Sequence, residues 1–442
     1  MPHLALVLPM HGVGGARDLP IPASLAIAGA VAALVVSFGV LALAWRRPRF
    51  EDSRSGRAVP ALQRIVDSAW FVALLRAFGL LLFAYTIWAA VWGQDLLINP
   101  IFGMFYILLW VGIVPASLVL GPVWKAISPV RTLHLGLSRL AGTDPDRGIL
   151  DYPARLGYWP GALGLFAFVW MELVSPDNTS LSAVRLWIAV WAAVLVVGGA
   201  IFGQRWFARA DPFEVYSTLV SHLSVWGRRD GALVVRNPLA NLSTITPAPG
   251  LVAVVAVLFG STAFDSFRES PRWILFLQER EMSPTWPGFA LLITMCVLVG
   301  LIIVGGTMAT GVGDNVARRD LPMLFAHSIV PIIVGYIFAH YLRYLVEVGT
   351  QTLIQMSDPM SNGTNLFGTA DWQVNYWLSD HPTFVAVTKV LGVVVGHVLG
   401  VVAAHDRAVA LLPRKHQVTG QLSLLAAMLM FTAGGLYLLF SS

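Results

Sequence analysis

Six ionisable side chains, His327, His340, Arg343, Lys389, His397 and His405, are carried by two otherwise apolar stretches, about 321–346 and 383–404. In hydrocarbon each such group costs at least about 2.5–3.5 kcal/mol on insertion scales, so intramembrane ionisable residues mark sites or pathways. Histidine suits proton movement, because its unperturbed pKa of about 6.5 lets modest changes of surroundings carry it across neutral pH. Burial favours the neutral forms of His and Lys, so one proton or one anionic solute can pass among groups that are not all charged at once. These residues predict a proton-linked path.

Their spacing gives the path a shape. Lys389, His397 and His405 fall at i, i+8 and i+16, each turned by about 80° and raised by about 12 Å from the one before, which makes a winding ladder. On the same stretch Gly392, Gly396, Gly400 and Ala404 recur every four residues, a ridge of small side chains on which a second helix can pack closely. The first stretch carries one polar stripe, Tyr336, His340, Arg343 and Glu347, in which Arg343 and Glu347 are spaced to pair. In an antiparallel hairpin of the two, His340 comes to the depth of Lys389 and His327 falls between His397 and His405.

A metal or haem site needs ligands three or four apart on one helix, and none of these histidines is so placed. Only a cross-helix set of His327, His397 and His405, drawn together by a kink at Pro331, leaves a metal open. HExxH, Walker A, GxSxG and a strand-borne GxGxxG are absent, and no cofactor is expected. Asp265 and Glu172, near the ends of two further apolar runs, can reach water and read as ordinary solvated carboxylates.

The elements that must position these groups are membrane helices. A chain of 442 residues that is 57% hydrophobic and 12% charged, with mean hydropathy +0.71, lies outside soluble composition. The reading is an all-α polytopic protein with one membrane domain over 1–442 and ten spans: 22–45, 70–92, 100–120, 157–175, 182–206, 249–266, 288–311, 321–346, 383–404 and 417–440. Of the 29 Lys and Arg, 21 fall on alternate connections and four on the opposite ones. The positive-inside rule then places both termini outside the cytoplasm, in a bacterial plasma membrane. The basic residues report topology and not nucleic-acid binding, and the lone Cys296 excludes a disulfide framework.

Ser128-Pro129 and Asp211-Pro212 each set a capping residue before a proline and then an amphipathic turn pattern. They read as the mark of a parallel internal repeat over 101–266, or, since any helix lying at an interface starts this way, as two interfacial helices. Gly305–Asp314 and Pro331 predict breaks beside the histidines. The connection 347–382 holds Glu347, Asp358, Asp371 and Asp380 without Lys or Arg, an acidic external loop.

These features predict a proton-linked secondary transporter, with the bilayer and a small ion or metabolite as partners, and more a carrier than an enzyme. Two other classes fit some of them. An envelope or membrane-complex assembly protein with a membrane-protein partner would use the polar groups as interhelical glue, and a membrane redox protein or metalloenzyme would need the three histidines to converge.

Overall fold

The computed structural model describes residues 14–51, 55–309, 312 and 316–441. His3, His11, Arg54 and part of the Gly305–Asp314 run lie outside the described residues. The apolar runs form helices because only internally paired backbone is stable in hydrocarbon. In chain order the principal ones are α1 (Ala23–Ala44), α2 (Ala69–Trp92), α3 (Pro100–Leu109), α4 (Ile113–Leu120), α5 (Pro129–Leu140) and α6 (Trp159–Leu173). They are followed by α7 (Leu181–Phe202), α8 (Pro212–Ser221), α9 (Leu251–Arg268), α10 (Thr285–Met308), α11 (Val330–Gln355), α12 (Pro382–Leu411) and α13 (Leu422–Ser441).

Among the described residues eight helices are long and apolar enough to cross a membrane, or nine if α3 and α4, bent by 45° at their break, count as one. The run expected to span at 157–175 yields α6, whose 15 residues fall short of the roughly 20 that a span requires. The run 182–206 stops early, at Phe202, where Gly203 turns the chain at φ 66° into a separate helix, Gln204–Ala210.

The two capped segments start as their sequences dictate. Ser128 accepts from the Arg131 amide, and Asp211 accepts from the Phe213 amide. Their surroundings differ. Helix α5 keeps an exposed face at Leu133 and Leu137, whereas α8 is buried at every residue but Thr218. Buried polar pairs hold α8 there: Arg131 forks onto Glu214 at 2.5 and 2.7 Å, Trp124 Nε1 donates to Asp211 at 2.8 Å, and Ser117 and Ser217 share a hydrogen bond. The polar groups of α8 thus find partners inside the protein instead of water.

Three arginine-rich segments, the connections after α1 and α8 and the last turns of α12, meet at one end of the bundle. Strands Arg57–Ala58, Trp226–Arg229 and Ala232–Val235 form a three-stranded antiparallel sheet in which the third strand is central. Beside it Asp406 accepts from Trp45 Nε1 and from the amides of Arg49 and Phe50, while Arg407 pairs with Glu51 at 2.9 Å and donates to the Ser243 carbonyl.

The opposite end carries the acidic connection, which is shorter than the sequence suggests. Helix α11 runs on to Gln355, so Glu347 belongs to the helix, 2% exposed, and the loop proper is 356–381. This loop is closed by its own hydrogen bonds. Ser357 pairs with Thr369 at 2.6 Å, Tyr85 donates to the Met356 carbonyl, and Asp358 accepts from the amides of Asn362 and Gly363. Slight desolvation raises the Asp358 pKa, and those amides together with Thr364 outweigh it and hold the carboxyl below its ordinary value.

Candidate functional site

The hairpin of α11 and α12 is closely packed, and glycines make it so. A Cβ at Gly396 would stand 2.6 Å from the Pro331 carbonyl oxygen, one at Gly400 2.7 Å from that of Ser328, and one at Gly392 2.8 Å from that of Gly335. Ala404, one turn further, is buried. The break in the first arm lies at the 3-10 turn Ala326–Ile329, and Pro331 occupies the first turn of α11, where its missing amide costs no helical bond. It starts the helix and does not kink its middle.

The ionisable groups of this hairpin take different partners. His327 Nδ1 bonds the Leu324 carbonyl at 3.0 Å. His405 uses both ring nitrogens, on Gln421 Oε1 and the Trp45 carbonyl, which ties α12 to α1 and to the turn before α13. His397, 0% exposed, bonds the Val393 carbonyl through Nδ1 and keeps a buried Nε2 without a hydrogen-bond partner. Lys389 is buried near the loop end, within the electrostatic reach of Arg343, Asp18 and Glu269. Arg343 and Glu347 are joined through a third group: Arg343 donates to Ser379 Oγ at 3.3 Å, and Ser379 donates to Glu347 Oε1 at 2.5 Å. Asp371 and Asp380 are exposed on the loop. Among the described residues no three His, Cys, Asp or Glu side chains come together as metal ligands, so His327, His397 and His405 do not converge.

His340 joins a polar cluster that is built on α9. Its Nε2 lies 3.0 Å from Asp265 Oδ2, and Tyr341 donates its hydroxyl to the same oxygen at 2.7 Å. Arg268 Nε donates to Asp265 Oδ1 at 2.7 Å, and its Nη1 donates to the Leu173 carbonyl at the last turn of α6. On the other side of the ring, His340 Nδ1 is 3.3 Å from Ser266 Oγ. Ser266 is 3.1 Å from the Tyr336 hydroxyl, which donates to the Gly435 carbonyl of α13. With Nε2 protonated toward Asp265, Nδ1 accepts from Ser266, and a hydrogen-bonded chain runs from Arg268 through Asp265 and His340 to Ser266, with the Tyr336 hydroxyl, its proton on the Gly435 carbonyl, 3.1 Å beyond.

A cavity of about 240 Å³ adjoins the first half of this chain. Tyr106, Glu172, Asp265, Arg268, Tyr341 and Tyr344 line it, and the exposed residues Leu97 and Thr179 stand at its mouth. The local folding that shapes it is legible residue by residue. The π-turn Met104–Leu109 carries Tyr106, whose hydroxyl donates to the Asn178 carbonyl. Asn178 in turn donates to the Glu172 main-chain carbonyl at the end of α6. Gly103 lets α3 approach α11 so closely that a Cβ there would fall 1.9 Å from Thr352 Oγ1.

No protein family, curated protein or solved structure matches this sequence. The site therefore stands on its own geometry. The sequence predicts Asp265 and Glu172 as solvated carboxylates near helix ends, yet Asp265 is 3% exposed and Glu172 Oε2 is buried. The signal that could have found them is the sequence Ser261-Thr262-Ala263-Phe264-Asp265-Ser266. It places three hydroxyls and a carboxylate in the last turns of an otherwise apolar helix, which is a costly composition unless it faces protein.

Proposed function

We propose that this chain is a proton-linked secondary transporter of a small solute, with the solute in the cavity beside Glu172 and the proton on the Asp265–His340 pair. The observation that carries this reading is the 3.0 Å contact of a buried imidazole with a buried carboxylate at the wall of a cavity. A proton shared between such groups changes the charge facing the solute, which is the coupling a symporter or antiporter requires. The Ser266 hydroxyl beside His340 Nδ1 supports a route for that proton on the far side of the ring from Asp265.

In this reading the arginine-rich end faces the cytoplasm of a bacterial cell and the cavity opens outward, with both chain ends outside. The gathering of the basic connections at one end supports that orientation. The bent α3–α4 pair supplies the irregular backbone beside the site that transporters commonly have. The run 101–266 is the candidate internal repeat.

The saturated bonds of His405 to Gln421 and Trp45 favour a structural role for that residue, as interhelical glue. An assembly protein would use every polar group so. The two readings separate in sealed proteoliposomes carrying a pH gradient. Transport predicts gradient-driven accumulation of a labelled solute, abolished by Asp265→Asn at normal protein abundance. No accumulation of any cationic, anionic or neutral small solute would leave the assembly reading in its place.

A further inference from the structure

The polar groups of the cavity wall are engaged unevenly. Both oxygens of Asp265 are occupied, Oδ1 by Arg268 and Oδ2 by His340 and Tyr341. Arg268 spends Nε on Asp265 and Nη1 on the Leu173 carbonyl. Tyr106 donates to Asn178, and Asn178 donates to the Glu172 main chain. Glu172 is different. Its Oε2 is buried and has no hydrogen-bond partner, although its side chain lines the cavity. A buried carboxylate short of a hydrogen bond is costly, and a ligand in the cavity that donates to the Glu172 carboxylate offsets that cost.

We infer that the cavity binds a small organic cation with N–H donors, a primary ammonium, on the Glu172 carboxylate. An ammonium supplies the donor that Glu172 lacks and the charge that complements it. Aromatic walls suit the same group, since Tyr106, Tyr344 and Phe102 line the cavity and a cation is attracted to the face of a ring. The volume of about 240 Å³ lies below the range of drug-sized pockets and limits the guest to a few carbons. An anion finds Arg268 already paired with Asp265. A bare metal ion finds no three converging ligands among the described residues. The inference rests on the transport reading only for the claim that the bound cation is carried.

The test is calorimetric titration of the purified full chain in detergent with butylammonium, butyrate and butanol, which share a chain and differ in head group. The expected result is saturable binding of butylammonium alone, weakened about tenfold or more by Glu172→Gln, the loss of one charge-assisted bond. Equal binding of butanol, preference for butyrate, or no binding by the folded wild-type chain overturns it. The wild-type series decides the matter even if Glu172→Gln fails to fold. Butylammonium that binds without moving protons in proteoliposomes, where no other small solute moves them either, leaves this site standing and removes the transport reading. Proton movement with butyrate and not with butylammonium does the reverse.

Discussion

His340 Nε2 stands 3.0 Å from Asp265 Oδ2, and this contact joins α11 to α9 at the edge of a polar cavity. It sets the candidate chemistry at the edge of the α11–α12 hairpin, which carries the six ionisable residues singled out in the sequence. Inside the hairpin, glycine contact decides what can face what, and the histidines are turned toward other helices or toward their own backbone.

The glycine ridge should be intolerant of side chains. With a Cβ at Gly396 only 2.6 Å from the Pro331 carbonyl, Gly396→Leu forces the hairpin apart and should cost at least about 2 kcal/mol. Val395, its neighbour on the exposed side, is 53% exposed, and Val395→Leu should leave the thermal midpoint unchanged. Equal midpoints for the two variants would contradict the close contact.

Ser379 should matter more than a loop serine usually does. It bridges Arg343 to the buried Glu347 carboxylate, so Ser379→Ala leaves that carboxylate short of a donor, at a cost of about 1–3 kcal/mol. Thermal unfolding should show the loss, and Ser379→Thr, which keeps the hydroxyl, should restore most of it.

Asp211 should make stability depend on pH in an unusual direction. Burial pushes its carboxyl up to about 7 from 3.8, and the neighbouring Glu214 adds to the rise, against hydrogen bonds from Trp124, Phe213 and Glu214 that lower it. Between about pH 4 and pH 7 the folded chain then holds a proton that the unfolded chain has lost. This group's contribution therefore falls as pH rises through that window. Asp211→Asn keeps an acceptor for the Phe213 amide and should flatten the decline, as followed by unfolding midpoints at pH 5, 6 and 7.5.

Much of the architecture was legible in the sequence, and the reason is physical. Runs of about 20 apolar residues must be helices in a bilayer, and helical rise sets depth. Gly335 meets Gly392 and Gly396 while Ser328 meets Gly400, the antiparallel match that places His340 near the level of Lys389. Azimuth was not legible. Which neighbour a side chain faces depends on helix order around the bundle, so nothing in the spacing of His340 pointed to Asp265, 75 residues away. Glu347 was misplaced because the α11 pattern continues through Thr350 and Thr352, whose hydroxyls return to the carbonyls four residues back and sustain the helix.

The central claim is that a proton moves on the Asp265–His340 pair in step with a solute. The most direct measurement is solute-evoked pH change inside sealed proteoliposomes holding a trapped pH dye, with small amines, carboxylates and neutral solutes added in turn. The account predicts a pH change with at least one solute in the wild-type chain, its loss in Asp265→Asn and His340→Gln, and its retention in His405→Gln. A silent wild-type chain, or variants at Asp265 and His340 that move protons as well as wild type, would contradict it.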